Sequence, residues 1–257
     1  MSSVKVSVIV VSYNTKDMTI ECIQSLYDQT LDTDFELLVY DNDSQDGSAE
    51  AIAEAFPKAN VIAAKDNCGF AMGNNKAIEH AKGEYVLLLN PDTLVLDRAV
   101  DNLMKFSEAN PQAKIWGGKT LFGDRTLNPS SCFRRMTVWN QFCRASGLAA
   151  IFKNSDFFNN EIYGGWLRDS IRQVDAVSGC FFLIKRAMWN ELGGFDKTFF
   201  MYAEEADLCL RAHKLGARPM ITPEAVIVHY GGASEKGRSD KMVRLLAAKN
   251  ELINVHW

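Results

Sequence analysis

The stretch Val6-Ser7-Val8-Ile9-Val10-Val11-Ser12-Tyr13-Asn14 decides the fold. From Val4 to Ser12 it is a near-continuous apolar run, the pattern of a strand covered on both faces. Ile20, Ile23, Leu26 and Tyr27 follow at helical spacing. The alternation then repeats. Phe35 to Tyr40 reads as a second strand. Ala49, Ile52, Ala53 and Phe56 make a helical stripe after the turn-rich Asp43 to Gly47. Asn60 to Ala64 is a short strand, Phe70, Ala77, Ile78 and Ala81 mark a helix, and Tyr85 to Leu89 is a strand stopped by Asn90-Pro91. Val100, Leu103 and Met104 line a further helix. This order predicts right-handed βαβ units and an α/β fold on a parallel sheet. Ligands of such sheets bind beyond the carboxyl ends of the strands. Three polar clusters fall there: Ser12-Tyr13-Asn14, Asp41-Asn42-Asp43 and Asn90-Pro91-Asp92.

After residue 112 the rhythm changes. Lys119 to Leu127 reads as a hairpin around Gly123-Asp124. Residues 129–172 are aromatic-rich, with scattered arginines and no clear period. Val174 to Ile184 reads as one strand containing Gly179, and Ala187 to Leu192 as a short helix ended by Gly193-Gly194. Glu204 to Leu215 is a helix with an acidic start, closed by Gly216. Ala225 to His229 is a strand. Lys241 to Trp257 is amphipathic, with Val243, Leu246, Ala247 and Ile253 on one side.

Composition excludes several classes. The chain has 257 residues, 47% hydrophobic and 23% charged, which is ordinary for a globular protein. A net charge of -4 argues against nonspecific nucleic-acid binding. No apolar run reaches the roughly 18 residues of a membrane span, and the N-terminus reads as a strand rather than a signal peptide. The six cysteines include no Cys-x-x-Cys pair, so a structural zinc site is not expected and a reducing cytoplasm is.

No Gly-x-Gly-x-x-Gly follows the first strand, and no Walker A, His-Glu-x-x-His or Gly-x-Ser-x-Gly occurs. Asp92, just past a buried strand, suits a hard divalent cation that in turn holds phosphates, or else a helix cap. Glu204, Glu205 and Asp207 open a helix, where acids complement the dipole or, so crowded, serve as a general base. His229 ends a strand before Gly231-Gly232, as a structural side chain or a metal ligand.

In their joint order these segments resemble the family 2 inverting glycosyltransferases of GT-A fold, in the rhamnosyltransferase-like branch of bacterial surface polysaccharide synthesis. The matching segments are Val8 to Asn14, Val39 to Ser48, Asn67 to Asn75, Leu88 to Thr93, Val177 to Ile184, Gly193 to Asp196, Phe199 to Arg211 and His229 to Ser234. The resemblance implies one GT-A domain over residues 1–257, with a nucleotide-sugar half (1–112) and an acceptor-binding, catalytic half (113–257). It implies that Ser12, Tyr13, Asn14, Asp41 and Asp43 hold base and ribose, and that Asn67, Gly69, Phe70 and Asn74 line the nucleotide–sugar pocket. Asp92 matches the metal carboxylate of the family's Asp-x-Asp, for Mg2+ or Mn2+. His229 matches a histidine associated with metal or diphosphate. Glu205 matches the catalytic base, with Glu204 adjacent.

The chain departs from the family pattern twice. Asn90 stands where the first Asp of Asp-x-Asp is usual, and Glu204-Glu205 stands for the usual Glu-Asp pair. The implied reaction moves a sugar, rhamnose from dTDP-rhamnose or a hexose from a UDP-sugar, to a glycan or lipid-linked acceptor. A noncatalytic nucleotide-sugar-binding module and a sugar nucleotidyltransferase are the alternatives. The implied location is cytoplasmic, on the inner membrane face if peripheral. Val138 to Phe152, with Trp139, Phe142, Leu148 and Ile151, reads as a packing helix, an acceptor wall or a membrane contact.

Overall fold

The computed structural model describes residues 4–231 and 238–256. Its first half alternates as the hydrophobic pattern requires: β1 (Val6–Ser12), α1 (Lys16–Gln29), β2 (Phe35–Asp41), α2 (Ser48–Ala55), β3 (Asn60–Ala63), α3 (Gly69–Ile78) and β4 (Tyr85–Leu89). These strands pair in the order β3-β2-β1-β4, all parallel. Every residue of β1 and β4 is buried, because alternate side chains enter two different cores. Ile9, Leu38, Val86 and Leu88 share one core with Ala71 and Ala77 of α3. Val8, Val10, Val39 and Leu87 share the other with Ile23, Leu26 and Ile52.

The rest of the chain comprises β5 (Thr93–Val95), α4 (Ala99–Ala109), β6 (Ile115–Leu121), β7 (Leu127–Asn128), β8 (Cys132–Phe133), α5 (Val138–Ala145), α6 (Leu148–Ile151), β9 (Arg172–Gln173) and β10 (Ala176–Val177). It ends with β11 (Phe181–Lys185), α7 (Arg186–Leu192), α8 (Glu204–Lys214), β12 (Met220–His229) and α9 (Arg238–His256). The sheet continues β4-β11-β6-β12-β5. Here it is mixed: β11 runs antiparallel to β4 and β6, β12 is parallel to β6, and β5 is antiparallel to β12. The sheet is thus parallel only as far as β4.

Three local readings change. The strand expected over Val174 to Ile184 is two strands, with β10 pairing β8 in a separate small sheet. The break falls at Gly179, where a Cβ would sit 3.3 Å from the Phe70 ring. β12 starts five residues before the expected Ala225, its alternation masked by a register shift between Ile221 and Val226 around Pro223. In α9, the side turned to the body carries buried Leu252, Lys249 bonded to Glu161 at 2.5 Å and His256 bonded to Asp207 at 2.8 Å. The Val243, Leu246 and Ile253 side faces outward.

Candidate active site

The loops after β1 and β2 lock together. Ser12 is fully buried, and its hydroxyl lies 3.3 Å from those of both Thr15 and Thr19, so it shapes the turn into α1. Exposed Asn14, at φ +51°, donates its N–H to Ser44 Oγ (2.9 Å) and accepts the Gln45 N–H at Oδ1 (2.7 Å). Tyr13 is half-buried beside it. Asp41 ends β2 almost fully buried; its Oδ1 accepts the Ser44 N–H at 2.9 Å, but its Oδ2 is buried with no partner. A buried, unpaired carboxylate oxygen is costly and unusual. It is an acceptor waiting for a donor. Asp43, at φ +66°, accepts from Gln45 Nε2 at 3.2 Å.

The start of α3 is held by side chains rather than left open. Asn67 Oδ1 accepts the Gly69 N–H at 2.9 Å. Gly69 has φ +82°, and the Phe70 N–H donates to the Phe200 carbonyl at 2.9 Å. The Phe70 ring packs against Gly179 and Phe195. Asn74 is buried and donates to the Phe70 carbonyl at 2.9 Å. Phe70 and Asn74 thus build the helix start, with Gly69 buried at its tip.

For two further residues the sequence shows the position but not the role: Asn42 stands in the polar cluster after the second strand and Asn75 ends a matching segment. Asn42 accepts the Cys68 N–H at 2.9 Å and donates to the Gly69 carbonyl at 3.1 Å, joining the end of β2 to α3. Asn75 donates to the Phe195 carbonyl and accepts the Phe195 N–H, both at 2.9 Å. That pairing spans 120 residues of chain, so no local spacing signals it.

Asp92 and His229 meet at the far side of β4. Asp92 Oδ1 lies 3.3 Å from His229 Nε2, and Asn90 Nδ2 lies 3.2 Å from the same nitrogen. Burial opposes the Asp92 charge, yet the His229 hydrogen bond and charge, with backbone N–H groups, outweigh it and hold the carboxyl below its usual range. Burial opposes the imidazolium of His229 as well, but Cys180 and Asp92 push it up to about 10. Asn90 Oδ1 is buried without a partner. That orphaned oxygen and the Asp92 carboxylate are oxygen donors that fit a hard divalent cation, and His229 can join them only in its neutral form, once its proton is displaced. Among the described residues no cluster of three His, Cys, Asp or Glu side chains offers a complete cage. A bound cation would draw its remaining ligands from elsewhere. Gly232 to Ser234 of the matched segment lie outside the described residues.

Glu204 and Glu205 open α8 after Tyr202 and Ala203, which adopt φ +73° and +68°. Glu204 is almost fully buried, and each glutamate has its Oε2 buried with no partner. Burial pushes the Glu205 carboxyl up to about 7. Burial and the adjacent Glu205 charge push Glu204 well above the carboxylate range. Burial thus favours the neutral form of Glu204 and leaves Glu205 poised near neutral pH. Asp207 differs: it is bonded to Arg211 at 2.6 Å and His256 at 2.8 Å, and Arg211 donates to the carbonyls of Leu192 and Gly194. It fastens the glycine turn.

The segment 178–180 draws these parts together. The Cys180 carbonyl accepts the Asn90 N–H at 3.1 Å, Gly179 meets Phe70, and β10 packs on α8. Two surface cavities, of about 480 Å³ beside His213 and His256 and about 530 Å³ beside α1, share no residue with this site.

The sheet order and the carboxyl-edge site define the GT-A glycosyltransferase fold. A mannosyltransferase from Pyrobaculum calidifontis, solved with GDP-Man and Mn2+, superposes with a TM-score of 0.63 at 22% identity, over 95% of this chain and 61% of that one. The model of glycosyl transferase family 2 matches residues 7–193, and the chain belongs to that family. An N-acetylglucosaminyl-diphospho-decaprenol L-rhamnosyltransferase of Mycobacterium tuberculosis is 26% identical over 76% of this chain and 66% of its own length. Rhamnosyltransferase WbbL of Escherichia coli K12 is 29% identical over 68% of this chain and 66% of its own length. The chain thus spans about two thirds of the length of these relatives.

Proposed function

We propose that the protein is an inverting rhamnosyltransferase that takes its sugar from a deoxythymidine-diphosphate donor and passes it to a lipid-linked glycan of a bacterial surface polysaccharide. The likeness to two rhamnosyltransferases supports the sugar, and the name of one of them, with its N-acetylglucosaminyl-diphospho-decaprenol acceptor, supports a lipid-linked acceptor. The observation that carries catalysis is the buried Glu205 carboxylate oxygen without a partner, on a group that burial pushes up to about 7. A base needs a pKa near working pH and an open lone pair. Glu205 removes the proton from the acceptor hydroxyl as that oxygen attacks the anomeric carbon. Glu204, whose charge is disfavoured by burial and by the neighbouring Glu205, is the adjacent alternative for the base. Direct displacement inverts the anomeric centre and needs no nucleophile on the enzyme.

Asp41 and the interlocked 12–14 and 43–45 loops receive the nucleoside, with Asp41 Oδ2 accepting from the base. Asp92, Asn90 and His229 would hold a divalent cation, Mg2+ or Mn2+, which when bound neutralises charge on the departing diphosphate. Residues 1–112 form the nucleotide-sugar-binding half and residues 113–257 the acceptor-binding and catalytic half.

Thermal-shift titration with deoxythymidine, uridine and guanosine diphosphates, each with Mn2+ or chelator, tests the reading. Saturation at about 100 times Kd stabilises by about 2.7 kcal/mol, or about 2–4 °C per kcal/mol at this size. The expected result is a metal-dependent shift with the deoxythymidine compound. A shift with the uridine compound alone moves the donor to a UDP-hexose. No shift with any leaves the noncatalytic reading in front.

A further inference from the structure

The helix α5 is amphipathic the wrong way round for a packed element. Its buried residues are Asn140 and Cys143, while Val138 is 90% exposed, Phe142 54% and Trp139 37%. This orientation is fixed by bonding. Thr137 and Asn140 form a reciprocal capping box, and Asn140 Nδ2 donates to the Arg135 carbonyl at 3.0 Å. The outward apolar face continues into Ile151 (72% exposed), Phe152 and Phe157. It is also rigid. Trp139 Nε1 donates to the Phe157 carbonyl at 2.9 Å, and its ring contacts those of Phe142 and Phe157 at 5.8 and 5.0 Å. Contiguous exposed aromatic surface of this kind marks an interaction site.

Charge selects the occupant. Residues 134–172 hold six Lys and Arg against three Asp and Glu, a net +3. The remainder of the chain holds 22 against 29, a net -7, which with +3 gives the total of -4. Arg135 and Lys153, both exposed, have no ion-pair partner among the described residues. A rigid aromatic face inside the basic part of an acidic protein fits an anionic bilayer. A second copy would set two like-charged faces against each other. Among the described residues no helix is long and apolar enough to cross a membrane, so contact lies in the interfacial plane.

We infer that the α5–α6 lobe is a docking surface for anionic lipid bilayers, seated through Val138, Trp139, Phe142, Ile151 and Phe157. The lobe leaves the fold at β8 and returns through β10, which packs on the helix that begins with Glu204 and Glu205. The lobe is therefore joined to the element that carries the proposed base. The inference deepens the lipid-linked acceptor reading but is tested without nucleotide or sugar.

The experiment is co-sedimentation with phosphatidylglycerol–phosphatidylcholine vesicles and with phosphatidylcholine vesicles alone. The expected result is binding to the anionic vesicles only, weakened by salt. The triple variant Val138→Asp, Phe142→Asp, Ile151→Asp is expected to lose binding at least tenfold with an unchanged melting temperature. Arg135→Gln with Lys153→Gln is expected to remove the salt-sensitive part. Failure of the wild type to bind anionic vesicles overturns the inference. So does a concentration-dependent dimer in ultracentrifugation that the triple variant abolishes. Either failure leaves the nucleotide titration to stand or fall separately.

Discussion

Gly69 lies so close to Phe200 that a Cβ added to it would be 2.4 Å from the Phe200 carbonyl oxygen. That oxygen accepts the first free N–H of α3, and four residues on from Phe200 the chain reaches Glu204. The start of α3 and the acid pair are therefore tied to one another through the Phe200 carbonyl. Gly69→Ala must displace Phe200 and also hold an alanine at φ +82°, a strain of about 1–2 kcal/mol by itself. The expected outcome is a fall in kcat of at least tenfold and a melting temperature lowered by several degrees. Gly47, at φ +76° with nothing within 4 Å, is the control. Gly47→Ala should show the strain in its melting temperature and leave turnover unchanged, as steady-state kinetics on both variants will report.

Glu205→Gln should abolish transfer while leaving nucleotide binding intact in a thermal-shift titration. In the wild type, kcat/KM should rise with pH through about 7 and then level, because the base works ionised. The same shift governs stability. A carboxyl whose folded pKa lies above its unfolded value binds more protons when folded, so its contribution becomes unfavourable as pH rises from the unfolded pKa through about 7. The glutamine variant should therefore melt above the wild type at pH 8, by up to about 3 kcal/mol at 1.36 kcal/mol per pKa unit. Most of that gain should vanish at pH 5. A glutamine variant that is active, or less stable at pH 8, would remove Glu205 from the role.

Asp92→Asn should weaken diphosphate binding in Mn2+ at least tenfold and leave binding of the bare nucleoside unchanged, as read by calorimetry. It should also alter the melting curve in alkali. His229 has its pKa raised to about 10, so its ion pair contributes fully below the unfolded pKa near 6.5 and is lost as pH climbs through 10. The variant should lose less stability than the wild type between pH 6 and pH 10.

Asp41→Asn keeps the side-chain shape and leaves an oxygen for the Ser44 N–H, but it puts an amide donor where the open Oδ2 was. The expected result is a loss of nucleotide affinity of at least tenfold, about 1.4 kcal/mol, without a lower melting temperature. Titration calorimetry against the preferred diphosphate checks it.

The N-terminal half was legible because its central strands are buried on both faces and its helices carry apolar stripes, so periodicity and burial say the same thing. Asp92, Glu204 and Glu205 were legible as residue types, since acids at a strand end or a helix start have few other uses. Their tuning was not, because that of Asp92 depends on His229 arriving from β12 and that of Glu204 and Glu205 on burial by the surrounding elements. The roles of Asn42 and Asn75 stayed hidden for the same reason: their bonds run to backbone groups 26 and 120 residues away. β5 was missed because it has only three residues and takes its ladder from β12. The lobe at 134–172 was opaque because its outward face is apolar, the reverse of what sequence patterning assumes.

Tyr202 and Ala203 are two consecutive L-residues in a backbone state where glycine would sit at no cost. Their strain is a lever for protein engineering. Ala203→Gly would relieve it in the folded state but enlarge the conformational freedom of the unfolded chain, so the two effects on stability largely offset. What would change is the sharpness with which the acid pair is aimed, so natural variation at this turn should show itself in acceptor selectivity before it shows in folding.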